Sequence, residues 1–174
     1  GILKPQTHWF DRLCERANEP PDFERFRQLT HQYFREHVRM EPMPGVSALL
    51  GSLVAAGVPR AIASGAPSNW VLDGLRGVGL ASSFDAIVTS DQVKHGKPAP
   101  DVYLEAARRS GIAPARCIAI EDTGPGLSSA RAAGMRTVVI PHALTRLHDL
   151  SGADLRVRSA ADLSLEALRR LVRA

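Results

Sequence analysis

Two adjacent carboxylates, Glu121 and Asp122, directly follow the apolar residues 117–120. Like charges at the edge of a core are costly unless a cation joins them. Mg²⁺, a hard cation that prefers oxygen ligands, would do this, and Gly124 and Gly126 are expected to let the following loop bend sharply. The alternative, that Asp122 only caps a helix beginning near Gly126, leaves Glu121 unexplained. The pattern therefore predicts a Mg²⁺ site at Glu121 and Asp122.

Lys97 is the second candidate, in the segment Gly-Lys-Pro-Ala-Pro-Asp at residues 96–101. Of the 22 basic residues 19 are arginine, and lysine occurs only at positions 4, 94 and 97, so a lysine in a tight motif indicates a need for its compact charge. The two prolines are expected to stiffen the backbone before a helix. A buried ammonium there would need a carboxylate or phosphate partner, whereas the alternative is a turn with a solvated lysine.

Ser64 is the third candidate, because it follows the apolar residues 61–63. Its hydroxyl and the amides of Gly65 and Ala66 would suit an anionic oxygen, although a serine there is more commonly a cap or turn residue. In open α/β sheets, ligands bind outside the carboxyl ends of the strands. A hydroxyl, a lysine and paired carboxylates at successive strand ends are the parts that bind a phosphate dianion beside Mg²⁺.

The elements that must position these residues alternate between short apolar strands and amphipathic helices from about residue 44 onward. Their spacing suits right-handed βαβ crossovers and predicts an α/β fold with an open, doubly wound parallel sheet. The predicted strands cover residues 58–63, 86–89, 117–120, 137–140 and 155–157, and the predicted helices cover residues 46–54, 68–76, 98–109, 127–133 and 165–172.

Residues 1–43 are predicted to be helical, with helices at about 8–17 and 23–38 separated by Pro20 and Pro21. The chain is therefore expected to have two parts, a helical segment at 1–43 and an α/β core at 44–174.

Composition excludes several classes of protein. With 174 residues, 44% hydrophobic and 23% charged, the chain is neither disordered, collagen-like nor a small disulfide scaffold. No apolar run reaches the roughly 20 residues that span a membrane, and residues 1–10 do not resemble a signal peptide. The net charge of +4 comes from scattered arginines without a basic stripe, so no nucleic-acid partner is expected.

Two cysteines, Cys14 and Cys117, lack metal-ligand spacing and are interpreted as free thiols in a reducing cytoplasm. No segment indicates an interface, so a monomer is expected.

Taken together, the motifs resemble the haloacid dehalogenase (HAD) superfamily, most nearly the β-phosphoglucomutase-like phosphatases with a small helical cap. The resemblance covers about residues 42–172. It is carried by Ala-Ile-Ala-Ser at 61–64, by residues 96–101, by Ile-Glu-Asp-Thr-Gly-Pro-Gly at 120–126 and by Ala-Arg-Ala-Ala-Gly-Met at 130–135. It implies a Rossmann-like core, with residues 1–43 the remainder of the cap.

The resemblance also implies residue roles. Ser64, with Gly65, matches the motif that hydrogen-bonds the transferring phosphoryl group, and Lys97 matches the motif that neutralises it. Glu121 and Asp122 match the Mg²⁺ motif, with Asp122 the direct ligand. The implied activity is Mg²⁺-dependent hydrolysis of a small phosphorylated metabolite through an aspartyl-phosphate.

The sequence departs from that family at one point, because it contains no Asp-x-Asp motif to supply the nucleophile. In the family this motif ends the central strand. Loss of that strand would leave two half-sheets about 10 Å apart, each with an exposed apolar edge. We therefore expect an additional N-terminal segment of a few tens of residues beyond this sequence, or else another strand or chain that fills the gap.

Four alternatives stay open. A phosphomutase would share all of these motifs, and a degenerate binding module would have lost its nucleophile. A dehalogenase is disfavoured because the carboxylate pair indicates a metal that dehalogenation does not use. A response-regulator-like domain is disfavoured because its acidic cluster would precede the lysine.

Overall fold

The computed structural model describes residue 15, residues 22–38 and residues 40–173. The chain divides into two compact units, residues 1–39 and residues 40–174. The described part of the first unit contains helix α1 (Phe23–His37), close to the predicted range. Apart from Glu15, which is helical, the helix predicted at residues 8–17 lies outside the described residues, as does Cys14. The assignment of residues 1–43 to a cap remains a prediction.

The second unit shows the predicted alternation of strands and helices. Its elements are α2 (Val46–Ala55), β1 (Ala61–Ala63), α3 (Ser68–Gly77), β2 (Ala86–Val88), α4 (Asp101–Ser110), β3 (Ile118–Glu121), α5 (Gly124–Ala132), β4 (Arg136–Val139), β5 (Leu155–Arg156) and α6 (Leu165–Arg173). Short 3₁₀ turns lie at Ala81–Ser83, Ser90–Gln92, Pro114–Arg116 and Ala160–Asp162.

Two helix starts differ from the prediction. Helix α4 begins at Asp101 rather than at residue 98, because residues 96–100 form turns and Pro100 is the N-cap. The Lys97–Pro98 peptide bond is cis. Helix α5 begins at Gly124 rather than at residue 127, because the hydroxyl of Thr123 caps it.

All strand pairs in the described chain are parallel, as predicted. Strand β1 pairs with β2, with Ala61 opposite Ala86, while β3 pairs with β4 and β4 with β5. The strands form two sheets, β1-β2 and β3-β4-β5, rather than one continuous sheet. This division matches the two half-sheets expected from the absence of an Asp-x-Asp strand.

Helices cover both faces of the strands, which is the doubly wound arrangement. On one face, α4 and α5 form a core in which Val88 of β2, Tyr103 of α4 and Ala119 of β3 are all buried. This cluster therefore joins elements of both sheets. On the other face, Val138 of β4 and Leu168 of α6 belong to a second buried cluster, to which α2 also contributes.

Within the described ranges, no helix combines the length and the apolar character needed to cross a bilayer. In the same ranges, Cys117 is a free thiol.

Gly45 offers a test of the packing between α2 and the turn at Ala160–Asp162. Gly45 has φ +84°, and a Cβ there would lie 2.1 Å from the backbone nitrogen of Ala161. We expect Gly45→Ala to lower the free energy of unfolding of the complete protein by roughly 2–5 kcal/mol, from left-handed strain plus overpacking. Urea unfolding followed by circular dichroism measures this.

The matched control is Gly57→Ala. Gly57 also has a positive φ, +64°, but an added Cβ would meet open space among the described residues. Its cost should be the backbone strain alone, roughly 1–2 kcal/mol. Equal losses in the two variants would contradict the proposed clash at Gly45.

Candidate functional site

The three segments singled out in the sequence lie at chain positions that follow strands. Ser64 comes directly after β1, Lys97 lies in the loop between β2 and α4, and Asp122 comes directly after β3. Since β1 and β2 run parallel, and β3 runs parallel to β4, each sheet presents the carboxyl ends of its strands at one edge. That edge is where open α/β sheets bind ligands.

A buried ion pair joins Lys97 to Glu121. The ammonium of Lys97 contacts Oε1 of Glu121, with the two side chains 14% and 6% exposed. Burial alone would raise the pKa of Glu121, but the charge and hydrogen bond of Lys97 and the hydroxyl of Tyr103 outweigh it and hold that pKa below its usual value. Lys97 is therefore not a solvated turn lysine, and its partner within this chain is a carboxylate.

Tyr103 completes this pair from the first turn of α4. Its hydroxyl donates to Oε1 of Glu121 and lies 3.3 Å from Nζ of Lys97. The ammonium also sits 4.7 Å from the centroid of the Tyr103 ring, within the range of a cation–π contact. Burial and the negative charge of Glu121 raise the pKa of Tyr103 far above its usual value, so that its hydroxyl stays a donor.

The other oxygen of Glu121 is held by its own loop. Oε2 accepts the backbone N–H of Asp122 at 3.3 Å and the hydroxyl of Thr123 at 3.2 Å. The Thr123 oxygen also accepts the N–H of Gly126 at 3.1 Å and so caps α5. Asp122 is thus not the cap of this helix, and both oxygens of Glu121 have hydrogen-bond donors.

Gly126 is required for a reason other than the predicted sharp bend. Its φ is not in the left-handed region, unlike that of Gly134. A Cβ on Gly126 would lie 1.9 Å from Oε2 of Glu121. The glycine therefore makes room for a buried carboxylate against the first turn of α5.

Asp122 is the more exposed of the two acids, with 43% of its side chain accessible. Its Oδ2 lies 3.0 Å from Nε2 of His142. Nδ1 of His142 accepts a hydrogen bond from the backbone N–H of Leu144 at 3.2 Å, so the ring proton is on Nε2. The Nε2–H group donates a hydrogen bond to Asp122. This leaves Oδ1 of Asp122 without a partner in the described chain.

The carboxylate oxygens of Glu121 and Asp122 fit Mg²⁺ in part. Mg²⁺ is commonly bound through one or two carboxylates, with waters and substrate phosphates completing its shell. Asp122 supplies one hard, partly exposed oxygen of this kind, whereas the oxygens of Glu121 are occupied by Lys97, Tyr103 and Thr123. In the described residues, no three acidic, histidine or cysteine side chains group as a ready metal site. The set therefore suits a cation held through Asp122 and completed by other ligands.

Ser64 forms a small turn of its own. Its Oγ accepts the backbone N–H of Ala66 at 3.1 Å, which leaves the hydroxyl proton free of any acceptor in the described part of the chain. Within that part, no hydrogen bond or ion pair joins Ser64 or Gly65 to Lys97 or Glu121. The structure thus joins Lys97 to Glu121 by an ion pair and Glu121 to the backbone of Asp122 by a hydrogen bond, whereas Ser64 makes no hydrogen bond to any of them in the described residues.

Sequence reasoning missed Tyr103, Thr123 and His142. A buried tyrosine hydroxyl requires a partner, and Tyr103 lies six residues after Lys97, so the pairing was open to inference. His142 lies in the loop after β4, three residues beyond Val139, so extending the search from strand ends to the loops that follow them would have included it.

Comparisons with known proteins agree on one family. Residues 4–140 match the haloacid dehalogenase-like hydrolases. The chain is 34% identical over 160 residues to YhcW of Bacillus subtilis (strain 168), whose name describes a phosphatase, covering 91% of this chain and 73% of that one. It is 36% identical over 126 residues to the β-phosphoglucomutase of the same organism, covering 72% and 53%.

A solved structure agrees with these sequence relatives. A mutant of CbbY from Rhodobacter sphaeroides, in complex with xylulose-(1,5)bisphosphate, superposes with a TM-score of 0.80 and 29% identity over 86% of this chain and 70% of that one. The chain therefore spans only part of each of these relatives.

Proposed function

This chain belongs to the haloacid dehalogenase-like hydrolases, in their β-phosphoglucomutase-like branch, and from that premise we propose that it forms part of a Mg²⁺-dependent phosphatase acting on a small phosphorylated metabolite. The observation that carries the proposal is the buried Lys97–Glu121 pair at the end of β3, directly beside the more exposed Asp122. An anchored cation next to a free carboxylate oxygen suits a phosphoryl group bound beside a metal ion.

Three residues of this chain would bind the phosphoryl group. Lys97 would neutralise its charge through the N–H that neither Glu121 nor Tyr103 occupies. The free hydroxyl proton of Ser64 and the amide of Gly65 would donate to its oxygens. Because phosphoryl transfer is catalysed chiefly by positioning and charge neutralisation, these contacts would lower the barrier without bond-making by the chain itself.

Asp122 would hold Mg²⁺ through Oδ1, while His142 fixes the orientation of its carboxylate. Bound Mg²⁺ would supply positive charge to the phosphoryl oxygens. Glu121 would act mainly by anchoring Lys97 and the loop, since its oxygens already accept hydrogen bonds.

The nucleophile would be an aspartate outside these 174 residues, since the sequence holds no Asp-x-Asp. Its carboxylate would bond to phosphorus as the bond from phosphorus to the ester oxygen breaks, and the second aspartate of that motif would protonate the leaving oxygen. The same aspartate would then take a proton from the water that cleaves the aspartyl-phosphate. The gap in pairing between β1 and β3 supports a strand from elsewhere as its carrier.

The experiment is a phosphate-release assay on the complete protein. Sugar phosphates are the first substrates to test, because CbbY was solved with xylulose-(1,5)bisphosphate and another relative is a β-phosphoglucomutase. We expect inorganic phosphate to be released when Mg²⁺ is present and not when it is removed with EDTA. Turnover that persists in EDTA would contradict the role of the metal.

Recording the same reaction by ³¹P NMR separates phosphatase from phosphomutase. A phosphatase yields inorganic phosphate, whereas a mutase yields an isomeric sugar phosphate. No change in any substrate, with phosphate still bound, would favour the degenerate binding module instead. The expected cytoplasmic location and monomeric state remain predictions.

A further inference from the structure

We propose that Tyr103 is a positioning residue of this site, whose ring and hydroxyl fix the direction in which Lys97 presents its remaining N–H to a phosphoryl oxygen. The identity of the ligand rests on the proposed function, whereas the contact by which Tyr103 orients Lys97 does not.

Three contacts surround the ammonium of Lys97. It lies 4.7 Å from the ring centroid of Tyr103 and 3.3 Å from its hydroxyl oxygen, and it contacts Oε1 of Glu121. A lysine ammonium has three N–H donors. Two of them are therefore directed to Tyr103 and Glu121, and the third has no acceptor among the described residues and is available to a ligand.

The hydroxyl of Tyr103 links both partners of the ion pair. It accepts from Lys97 and donates to Glu121, so the three side chains close a ring of hydrogen bonds. Without this hydroxyl, the ammonium would keep Glu121 but would gain freedom to rotate about it.

Tyr103 is held by a helix and by the buried core, whereas Lys97 lies outside any helix or strand. Lys97 sits on an irregular loop and has a flexible four-carbon stem. Tyr103 lies in α4 and is 6% exposed within the buried cluster that includes Val88 and Ala119. The tyrosine ring therefore connects the ammonium of Lys97 to the packed core and restricts its position.

Tyr103→Phe in the complete protein isolates the hydroxyl, because the ring and its packing are kept. Two quantities are measured at a temperature where the variant is folded. One is the inhibition constant for inorganic phosphate. The other is the rate at which an amine-reactive reagent labels Lys97 relative to the exposed Lys94, followed by mass spectrometry. We expect both to rise roughly 2- to 10-fold, the size of one hydrogen bond.

Tyr33→Phe is the matched control, because the other tyrosine of the chain lies on α1, away from Lys97 in sequence. It should change neither quantity. Tyr103→Leu, which also removes the ring, should raise the labelling of Lys97 further.

The outcomes separate this inference from the proposed function. Unchanged labelling of Lys97 would overturn it, whatever the activity. A lower melting temperature with both quantities unchanged would show a purely structural tyrosine and would also overturn it. Faster labelling of Lys97 with an unchanged inhibition constant for phosphate would overturn the claim that Tyr103 orients Lys97 toward the phosphoryl group. A wild type that neither binds nor releases phosphate would refute the proposed function, while the labelling would still decide the contact.

Discussion

Exchange of Asp122 for asparagine is expected to lower Mg²⁺-dependent phosphate-ester hydrolysis by the complete protein at least roughly 100-fold, because even outer partners of a metal site cost 10- to 100-fold when they are replaced. Asparagine has the shape of aspartate and keeps an oxygen for the N–H of His142. It removes the negative charge that a hard cation requires. The measurements are initial rates across a Mg²⁺ series and Mg²⁺ binding by calorimetry.

The matched control is Asp149→Asn. Among the described residues, the side chain of Asp149 is hydrogen-bonded only to Ser151, and it carries no assigned role. It should retain its rate and its Mg²⁺ dependence. Because Asp122 is 43% exposed, Asp122→Asn should keep the circular dichroism of the wild type. Full activity of Asp122→Asn with an unchanged Mg²⁺ requirement would contradict the assignment of Asp122 as a metal ligand.

The sequence was sufficient for the order of the strands and for the location of the acids, although β1 begins at Ala61 rather than at the predicted residue 58. Residues 117–120 are apolar without alternation, which predicts a strand buried on both faces, and charge begins abruptly at Glu121. Strand β3 forms there, but Ile120 is 42% exposed, so burial on both faces is incomplete in the described chain. Such local patterns predict structure well because apolar segments are the ones that become buried when the chain folds. They placed β3 and its neighbours to within a few residues.

The partner of Lys97 could not be predicted, because it depends on packing between distant elements. The sequence left a carboxylate and a phosphate as equal choices for this ammonium. Glu121 lies 24 residues further along, and the pair forms only because α4 and β3 share one core. The same packing brings Tyr103 to Glu121.

Gly126 shows a second limit. The sequence predicted that this glycine lets the loop bend sharply, whereas in the structure it leaves space for Oε2 of Glu121. A close approach between a backbone and a buried side chain leaves no periodic trace in a sequence. The predicted start of α4 was wrong for a similar reason. Whether the helix begins after Pro98 or after Pro100 depends on the geometry of the preceding turn, which the sequence does not show.

Replacement of Lys97 by methionine is expected to eliminate measurable turnover and to lower the free energy of unfolding of the complete protein by about 3–5 kcal/mol, the usual cost of leaving one member of a buried ion pair without its partner. Methionine fills a similar volume without charge. Among the described residues, Glu121, at 6% exposure, would retain only the neutral donors of Tyr103, Thr123 and the Asp122 backbone. Urea unfolding and the phosphate-release assay measure the two effects.

A second substitution separates the stability effect from the catalytic one. In Lys97→Met combined with Glu121→Gln, neither charge is left buried, so much of the lost stability should return, as it does when buried pairs are replaced whole. Turnover should stay absent, because no cation faces the phosphoryl group. Lys94→Met, at an exposed lysine three residues away, should change neither quantity. If the double variant regained activity along with stability, Lys97 would be a structural residue and the phosphate site would have to lie elsewhere.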